Sequence, residues 1–176
     1  MPLFIRRSFL ILYFALCFSI IAAQSNFARA ATIQLAQNGK ALLPIVISPN
    51  ASDETKAVAS QLADYLKQIS GADFSIQTGD GKSGIVLGTI AQFPHPELDD
   101  ALKINGVDGR EAFAIRTSAE KVLLLGATDL AARHVAYRFL ETLGVRWFFP
   151  AAEWTVVPSI PDLKFDSNLT ERPVFL

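Results

Sequence analysis

The chain has 176 residues, of which 51% are hydrophobic and 19% charged, and its formal net charge at pH 7 is -1. This length suits one domain with a targeting segment and excludes a large barrel enzyme. Residues 1–30 hold three of the 16 basic residues, Arg6, Arg7 and Arg29, and no acidic one, so the remainder carries 13 basic against 17 acidic side chains. That balance of -4 argues against a nucleic acid partner. The single cysteine, Cys17, lies near the N-terminus, which excludes cysteine chemistry from the rest of the chain.

Residues 1–30 have the pattern of a secretory signal peptide. A basic start precedes an uncharged apolar run from Phe9 to Ala23, and the segment ends in the small-x-small pattern Ala28-Arg29-Ala30. Because the apolar run is shorter than the roughly 20 residues that span a bilayer, we predict cleavage between Ala30 and Ala31, not a retained anchor. The mature chain is then expected to be periplasmic or secreted and free of the membrane. General secretion and twin-arginine export both stay open.

Hydrophobic periodicity predicts two amphipathic helices and a series of short strands in the mature chain. The first helix is capped by Asn50 or Ser52 and ends at Gly71, and the second runs from Thr128 to Leu143. We expect an α+β two-layer sandwich, with a mixed sheet of about five or six strands and both main helices on one face. The predicted strands are Ala41–Ile47, a hairpin of Phe74–Thr78 with Ile85–Gly88, a hairpin of Glu111–Thr117 with Lys121–Gly126, and Val145–Phe149.

Several predicted strands are apolar at nearly every position, Ile85–Gly88 and Val122–Leu125 among them. Because successive side chains of a strand point to opposite faces of the sheet, both faces of this sheet are then apolar. Two helices cover only one face. Either loops of the chain cover the other face, or a partner does.

Motifs that carry chemistry are weak in this chain. Gly79–Gly84 matches the spacing of a dinucleotide fingerprint, but a strand follows it where that motif needs a helix. His95 and His134 are the two histidines and have no further His or Cys with which to form a metal site. Asp99 and Asp100 are adjacent carboxylates, which diverge on a helix and cannot flank one bond. We therefore predict no catalytic residue, no cofactor and no metal in this chain.

A longer pattern resembles a known family. It consists of the strand Val122–Gly126, a helix that ends Tyr137-Arg138-Phe139-Leu140-Glu141-Thr142-Leu143-Gly144, and the block Val145-Arg146-Trp147-Phe148-Phe149-Pro150. This pattern resembles the N-terminal accessory domain that precedes the catalytic barrel in α-glucuronidases of glycoside hydrolase family 67 and in bacterial β-N-acetylhexosaminidases. Weaker similarities extend the resemblance over Ala57–Val157.

The resemblance implies a two-layer α/β module that packs on a catalytic (β/α)₈ barrel, whose catalytic carboxylates have no counterpart here. It divides the chain into a signal peptide at 1–30, an accessory domain at 31–165 and a linker at 166–176 toward the absent barrel. A complete protein would be a glycoside hydrolase, whereas this chain alone is predicted to be inactive. The barrel would also cover the second apolar face of the sheet; without it, we expect self-association through that face.

The candidate interface residues are Arg146, Trp147, Phe148, Phe149 and Trp154. Alternation along a strand would place Trp147 and Phe149 on one face and Arg146 and Phe148 on the other. Arg146 would either pair with a carboxylate at the rim of the interface or lie in solvent. The alternative function is a free-standing periplasmic module that binds a protein or an oligo- or polysaccharide, with Trp147, Phe149 and Trp154 as stacking or anchor residues.

Overall fold

The computed structural model describes residues 31–106, 108–149 and 152–172. The predicted signal peptide and its cleavage site at Ala30 therefore lie at or outside the edge of the described residues. The main elements in chain order are β1 (Ile33–Gln34), β2 (Ala36–Gln37), β3 (Lys40–Ala41), β4 (Ile45–Ile47), α1 (Asp53–Ser70), β5 (Ile76–Thr78), β6 (Gly84–Thr89), β7 (Phe113–Thr117), β8 (Lys121–Gly126), α2 (Asp129–Thr142), β9 (Arg146–Trp147), β10 (Thr155–Val156), β11 (Lys164–Phe165) and β12 (Asn168–Glu171).

Local sequence signals set the ends of both helices. Ser52 caps α1 by accepting a hydrogen bond from the amide of Thr55, and Gly71 ends it in the left-handed conformation that glycine adopts without strain. Thr128 caps α2 in the same way. Gly126 allows α2 to begin directly against the end of β8, because a Cβ at that position would collide with the backbone of the first helical turn.

Six strands form one mixed sheet in the order β12-β7-β8-β6-β4-β5. Strands β4, β5, β6 and β8 are mutually parallel, and β7 runs antiparallel to both of its neighbours. Since β7 lies beyond β8, the connection from β6 to β7 must cross over β8. The α+β architecture with two helices and a sheet of about six strands is confirmed, and the hairpin of Glu111–Thr117 with Lys121–Gly126 is present as β7 and β8.

Both faces of the central strands are covered by the chain itself. On one face Ile85, Leu87, Val122 and Leu124 pack in a core that includes the apolar side of both helices. The alternate residues of β6 and β8 pack on the other face against the connection at residues 90–112. This second core consists of Val46, Val86, Phe93, Leu98, Leu102, Ala112, Ala114, Leu123 and Leu125.

The covering connection is held in place by buried leucines and by a hydrogen-bonded arginine beside the edge strand β12. It contributes Leu98 and Leu102, which are 0% and 2% exposed. After β12, Arg172 donates hydrogen bonds to the carbonyls of Ala101 and Lys103 over 2.9 and 3.0 Å. Of the two sequence alternatives for the second face, the structure shows the first: a loop of the chain covers its apolar residues. Self-association and docking of a barrel stay predictions.

The predicted hairpin of Phe74–Thr78 with Ile85–Gly88 is wrong. Strands β5 and β6 are both parallel to β4, which lies between them. The glycine-rich segment 79–83 suggested a tight turn between antiparallel strands. The segment instead returns from the end of β5 to the start of β6, and it is long enough to do so because β5 has only three residues. Where the return begins, the amide of Gly79 donates a hydrogen bond to the carbonyl of Ile47 over 3.0 Å.

Two further expectations are corrected near the C-terminus. The predicted strand Val145–Phe149 is reduced to Arg146–Trp147, which pairs antiparallel with β10 outside the central sheet. The segment 166–176, predicted as a linker, contains β12, which pairs with β7 at the edge of the central sheet. The two edge strands of the central sheet are thus β12 and β5. A junction to a further domain stays a prediction. No helix in the described segments is long and apolar enough to cross a membrane.

Replacing Leu98 with alanine tests the covering connection. Leu98 is fully buried against the second face, so Leu98→Ala is expected to lower the free energy of unfolding by about 2 to 5 kcal/mol. The exposed neighbour Asp99 supplies the control, since Asp99→Ala is expected to change it by less than about 0.5 kcal/mol. Urea unfolding with an unchanged slope measures both. Equal and small effects would mean that the connection does not cover the sheet.

Candidate functional site

Titratable side chains do not gather into a centre in the part of the chain that the structure describes. His134 Nδ1 lies 3.3 Å from a carboxylate oxygen of Glu111, and His95 Nδ1 lies 3.6 Å from one of Glu97. Within the same residues there is no group of three or more His, Cys, Asp or Glu that could hold a metal ion. The features that stand out are therefore apolar and lie on the hairpin formed by β9 and β10.

The β9–β10 hairpin has two distinct sides. Backbone pairing places Arg146 opposite Val156, and the amide of Phe148 donates a hydrogen bond to the carbonyl of Trp154 over 3.0 Å. Because side chains alternate along paired strands, these four residues belong to one side of the hairpin and Trp147 to the other. We call the first the outer side.

Trp147 anchors the hairpin on the helices. Its ring meets Tyr65 of α1 and Tyr137 of α2 edge to face, with centroids 5.5 and 5.4 Å apart. Its indole N–H also donates to the hydroxyl of Tyr65 over 2.8 Å. Aromatic contacts of this geometry are each worth about 0.5 to 1.5 kcal/mol beyond the area that they bury. The inner side of the hairpin therefore lies across both helices, fixed by one half-buried tryptophan.

Arg146 is tied to the end of α2. Its Nη1 donates to the carbonyls of Glu141 and Val145 over 2.6 and 2.7 Å. A cation at this position satisfies a terminal carbonyl and meets the negative end of the helix dipole. Arg146 is exposed, as one of the two sequence alternatives expected, but its hydrogen bonds serve the helix end.

The outer side of the hairpin exposes large apolar side chains. Phe148 is 67% exposed, Phe149 66%, Trp154 57% and Val156 53%. The rings of Phe149 and Trp154 are 6.3 Å apart and tilted by 54°. We refer to these four residues as the aromatic surface. A contiguous apolar surface of this kind marks an interaction site more often than isolated exposed leucines do.

The five predicted interface residues therefore separate into two groups. Phe148, Phe149 and Trp154 lie on the aromatic surface, whereas Trp147 and Arg146 fasten the hairpin to the helices. Phe149 is placed with Phe148 and Trp154 and not with Trp147, because its ring lies 6.3 Å from that of Trp154. Val156 was missed; its place opposite Arg146 depends on a pairing between β9 and β10 that the sequence pattern did not predict.

A second feature is an open depression beside the end of α2. Leu163 and Phe165 form an apolar floor and are 1% and 5% exposed. Lys164 and Asp166 contribute opposite charges to its rim. The sequence carried no signal for it, since it forms between the end of a helix and the segment around β11.

A charged cluster joins α2 to β12. Arg138 donates to Glu171 from Nε over 2.9 Å, and its Nη1 lies 3.2 Å from Glu141. The hydrogen bonds that the Arg138 guanidinium donates to Glu141 and Glu171 raise its pKa above the ordinary value. The cluster connects β12 to the helix layer. Its central residue, Arg138, follows Tyr137 in α2.

Comparisons with known proteins give a coarse likeness of fold. No family model and no curated protein matches the sequence. One solved structure, the GH20 β-N-acetylhexosaminidase from Streptomyces coelicolor A3(2), is similar with 19% identity and a TM-score of 0.44 over 78% of this chain and 23% of that one. Another, a GH115 4-O-methyl-α-glucuronidase with specificity for decorated arabinogalactans, is similar with 18% identity and a TM-score of 0.45 over 73% of this chain and 17% of that one.

The chain thus spans about a fifth of the length of these two enzymes. Both are glycoside hydrolases, of families GH20 and GH115, and the likeness is a coarse one of fold alone.

Removing the hydroxyl of Tyr65 tests the anchoring of the hairpin. The chain has two tryptophans, so Trp154→Phe leaves Trp147 as the single emitter. In that background Tyr65→Phe should cost about 1 kcal/mol of unfolding free energy, because the indole N–H loses its acceptor, and should shift the Trp147 emission to longer wavelength. Tyr137→Phe is the control, since it keeps the ring and loses only a hydrogen bond to Gln61. Identical spectra for the two variants would contradict the anchor.

Proposed function

We propose that this chain is an exported, non-catalytic accessory domain of a carbohydrate-active glycoside hydrolase of the α-glucuronidase or hexosaminidase type. It would act in carbohydrate metabolism together with a catalytic (β/α)₈ barrel, which this sequence does not contain. The aromatic surface would be the place where that barrel docks. Alone, the domain would be catalytically inert.

The single observation that carries the proposal is the exposure of Phe148, Phe149 and Trp154 on a hairpin that Trp147 anchors to the helices. Phe148 and Phe149 belong to the block that resembles the accessory domains of glycoside hydrolases. Burying one large apolar side chain is worth about 1.5 to 3 kcal/mol, so the aromatic surface offers several kcal/mol to a partner. The two faces of the central sheet are not such a surface, because both are covered by the chain.

Four of the acidic side chains take part in ion pairs within the fold. Glycoside hydrolysis uses two carboxyl groups about 5 to 10 Å apart that flank a bond in a cleft. Here Glu54 pairs with Arg133, Glu111 with His134, and Glu141 and Glu171 share Arg138. These acidic groups serve contacts between elements of the fold.

A second candidate function is a free-standing periplasmic module that binds a glycan or a protein. The exposed, tilted pair of Phe149 and Trp154 favours it, because aromatic faces stack on sugar rings. Trp147 no longer supports it, since its ring packs between two tyrosines and its N–H is already bonded.

The coding sequence that follows the codon for Leu176 discriminates between these functions. The accessory-domain proposal expects a continuation long enough for a (β/α)₈ barrel, about 250 residues, either in frame or after a frameshift. Sequencing of the genomic DNA downstream is the measurement. An intact stop codon followed by unrelated sequence would contradict the proposal and favour the free-standing module.

Export is tested separately by the N-terminus of the mature protein. The fold starts close after the predicted cleavage site, since Ile33 is already 5% exposed in the core. Intact-mass measurement of protein recovered from the exported fraction should therefore give a chain that begins at Ala31. Recovery of the chain with residues 1–30 attached to a membrane fraction would contradict cleavage.

A further inference from the structure

The N-terminal strand is attached to the domain by a short pairing. Ile33 and Gln34 of β1 pair antiparallel with Phe165 and Lys164 of β11. Ile33 and Phe165 are both 5% exposed, and the ring of Phe165 packs on Phe139 of α2 at 4.7 Å. The attachment continues beyond these pairs, because the amides of Leu35 and Ala36 both donate to the carbonyl of Leu163, over 2.8 and 3.3 Å. The outer end of β1 has fewer contacts, so weak interactions there decide how often that end frays.

One such interaction lies at the outer end of β1. The register of the two strands places Thr32 opposite Asp166, and the Thr32 hydroxyl lies 3.1 Å from Oδ2 of Asp166, in position to donate a hydrogen bond. None of the ion pairs found among the described residues uses Asp166. Its carboxylate lies at the rim of the depression. Ala31 is the residue before Thr32 in the chain, so it lies one position beyond the residue that contacts Asp166.

We propose that removal of the signal peptide creates an ion pair between the new α-ammonium group of Ala31 and the carboxylate of Asp166, and that this pair locks β1 onto the domain. The inference rests on the proposed export and on cleavage between Ala30 and Ala31. Hydrolysis of that peptide bond consumes one water molecule; Ala30 leaves with a carboxylate, and the nitrogen of Ala31 takes up protons. A neutral amide thereby becomes a cation at the end of β1.

The geometry and the chemistry of an α-amine support this pairing. An α-amino group ordinarily has a pKa of about 7.7 to 8.0, so it is mostly protonated at pH 7. One extended residue spans about 3.3 to 3.6 Å, which keeps the nitrogen of Ala31 beside the Thr32–Asp166 contact. The register places Gln34 and Lys164 opposite each other, on the same side of the strand pair as Thr32 and Asp166. Of the two, Lys164 is the cation that could compete for the carboxylate.

Hydrogen exchange on the exported, mature protein tests the proposal. Asp166→Asn should speed exchange of the amides of residues 33–35 about threefold, as expected for an exposed ion pair. Acetylation of the Ala31 amine should have the same effect, and the two changes together should add nothing further, because each breaks the same pair. Asp162→Asn is the matched control, since Asp162 is exposed in the same segment and accepts a hydrogen bond from the amide of Asn38 instead.

The outcomes separate this inference from the proposed function. If Asp166→Asn has the same effect on the acetylated chain as on the free amine, Asp166 acts without the ammonium group and the ion pair is wrong, while export stands. If the mature chain begins at a residue other than Ala31, both the inference and the predicted cleavage fail. In neither case does the accessory-domain proposal depend on the result, because it is decided by the downstream coding sequence.

Discussion

The burial of both faces of β6 and β8 is the constraint on which the rest of the structure depends. Every residue of β6 is buried, as are five of the six residues of β8. Strands of this kind need an apolar layer on each side. Here α1 and α2 supply one layer, and the connection at residues 90–112 supplies the other because it must cross β8 to reach β7.

Because the chain itself covers both faces of the sheet, those faces are not the surface that a partner would bind. An open sheet face would have been a large apolar surface, and the domain would have needed a partner to fold well. With Leu98 and Leu102 over that face, its apolar residues are buried by the chain itself. Of the eight large apolar side chains that are exposed among the described residues, four form the aromatic surface of the β9–β10 hairpin, which lies on the helix side of the domain.

The sequence predicted the elements whose signals are local. Both helices, their caps and the β7–β8 hairpin follow from periodicity and from Ser52, Gly71 and Thr128, which act on their own neighbours. Pairings that depend on distant segments were missed. The parallel pairing of β5 with β4 joins strands on either side of α1, and the pairing of β12 with β7 joins segments 52 to 58 residues apart.

The candidate site was also predicted only in part. The block from Arg146 to Phe149 was identified from its residue types, but the sequence did not show which of its residues anchor the hairpin and which form the aromatic surface. The anchoring role of Trp147 depends on Tyr65, which lies 82 residues before it in the chain and supplies its hydrogen-bond acceptor. The depression and the Thr32–Asp166 contact also join distant segments and left no local signal.

The most direct test of this account is hydrogen exchange of the covering connection compared with the central strands. The amides of Leu98 and Leu102 donate to carbonyls within the connection, so a layer packed on the sheet should protect them against exchange. The account predicts that these two amides exchange far more slowly than an unstructured loop and that the β6 and β8 amides open only on global unfolding. Unprotected amides at Leu98 and Leu102, together with early exchange in β8, would show an open second face and contradict it.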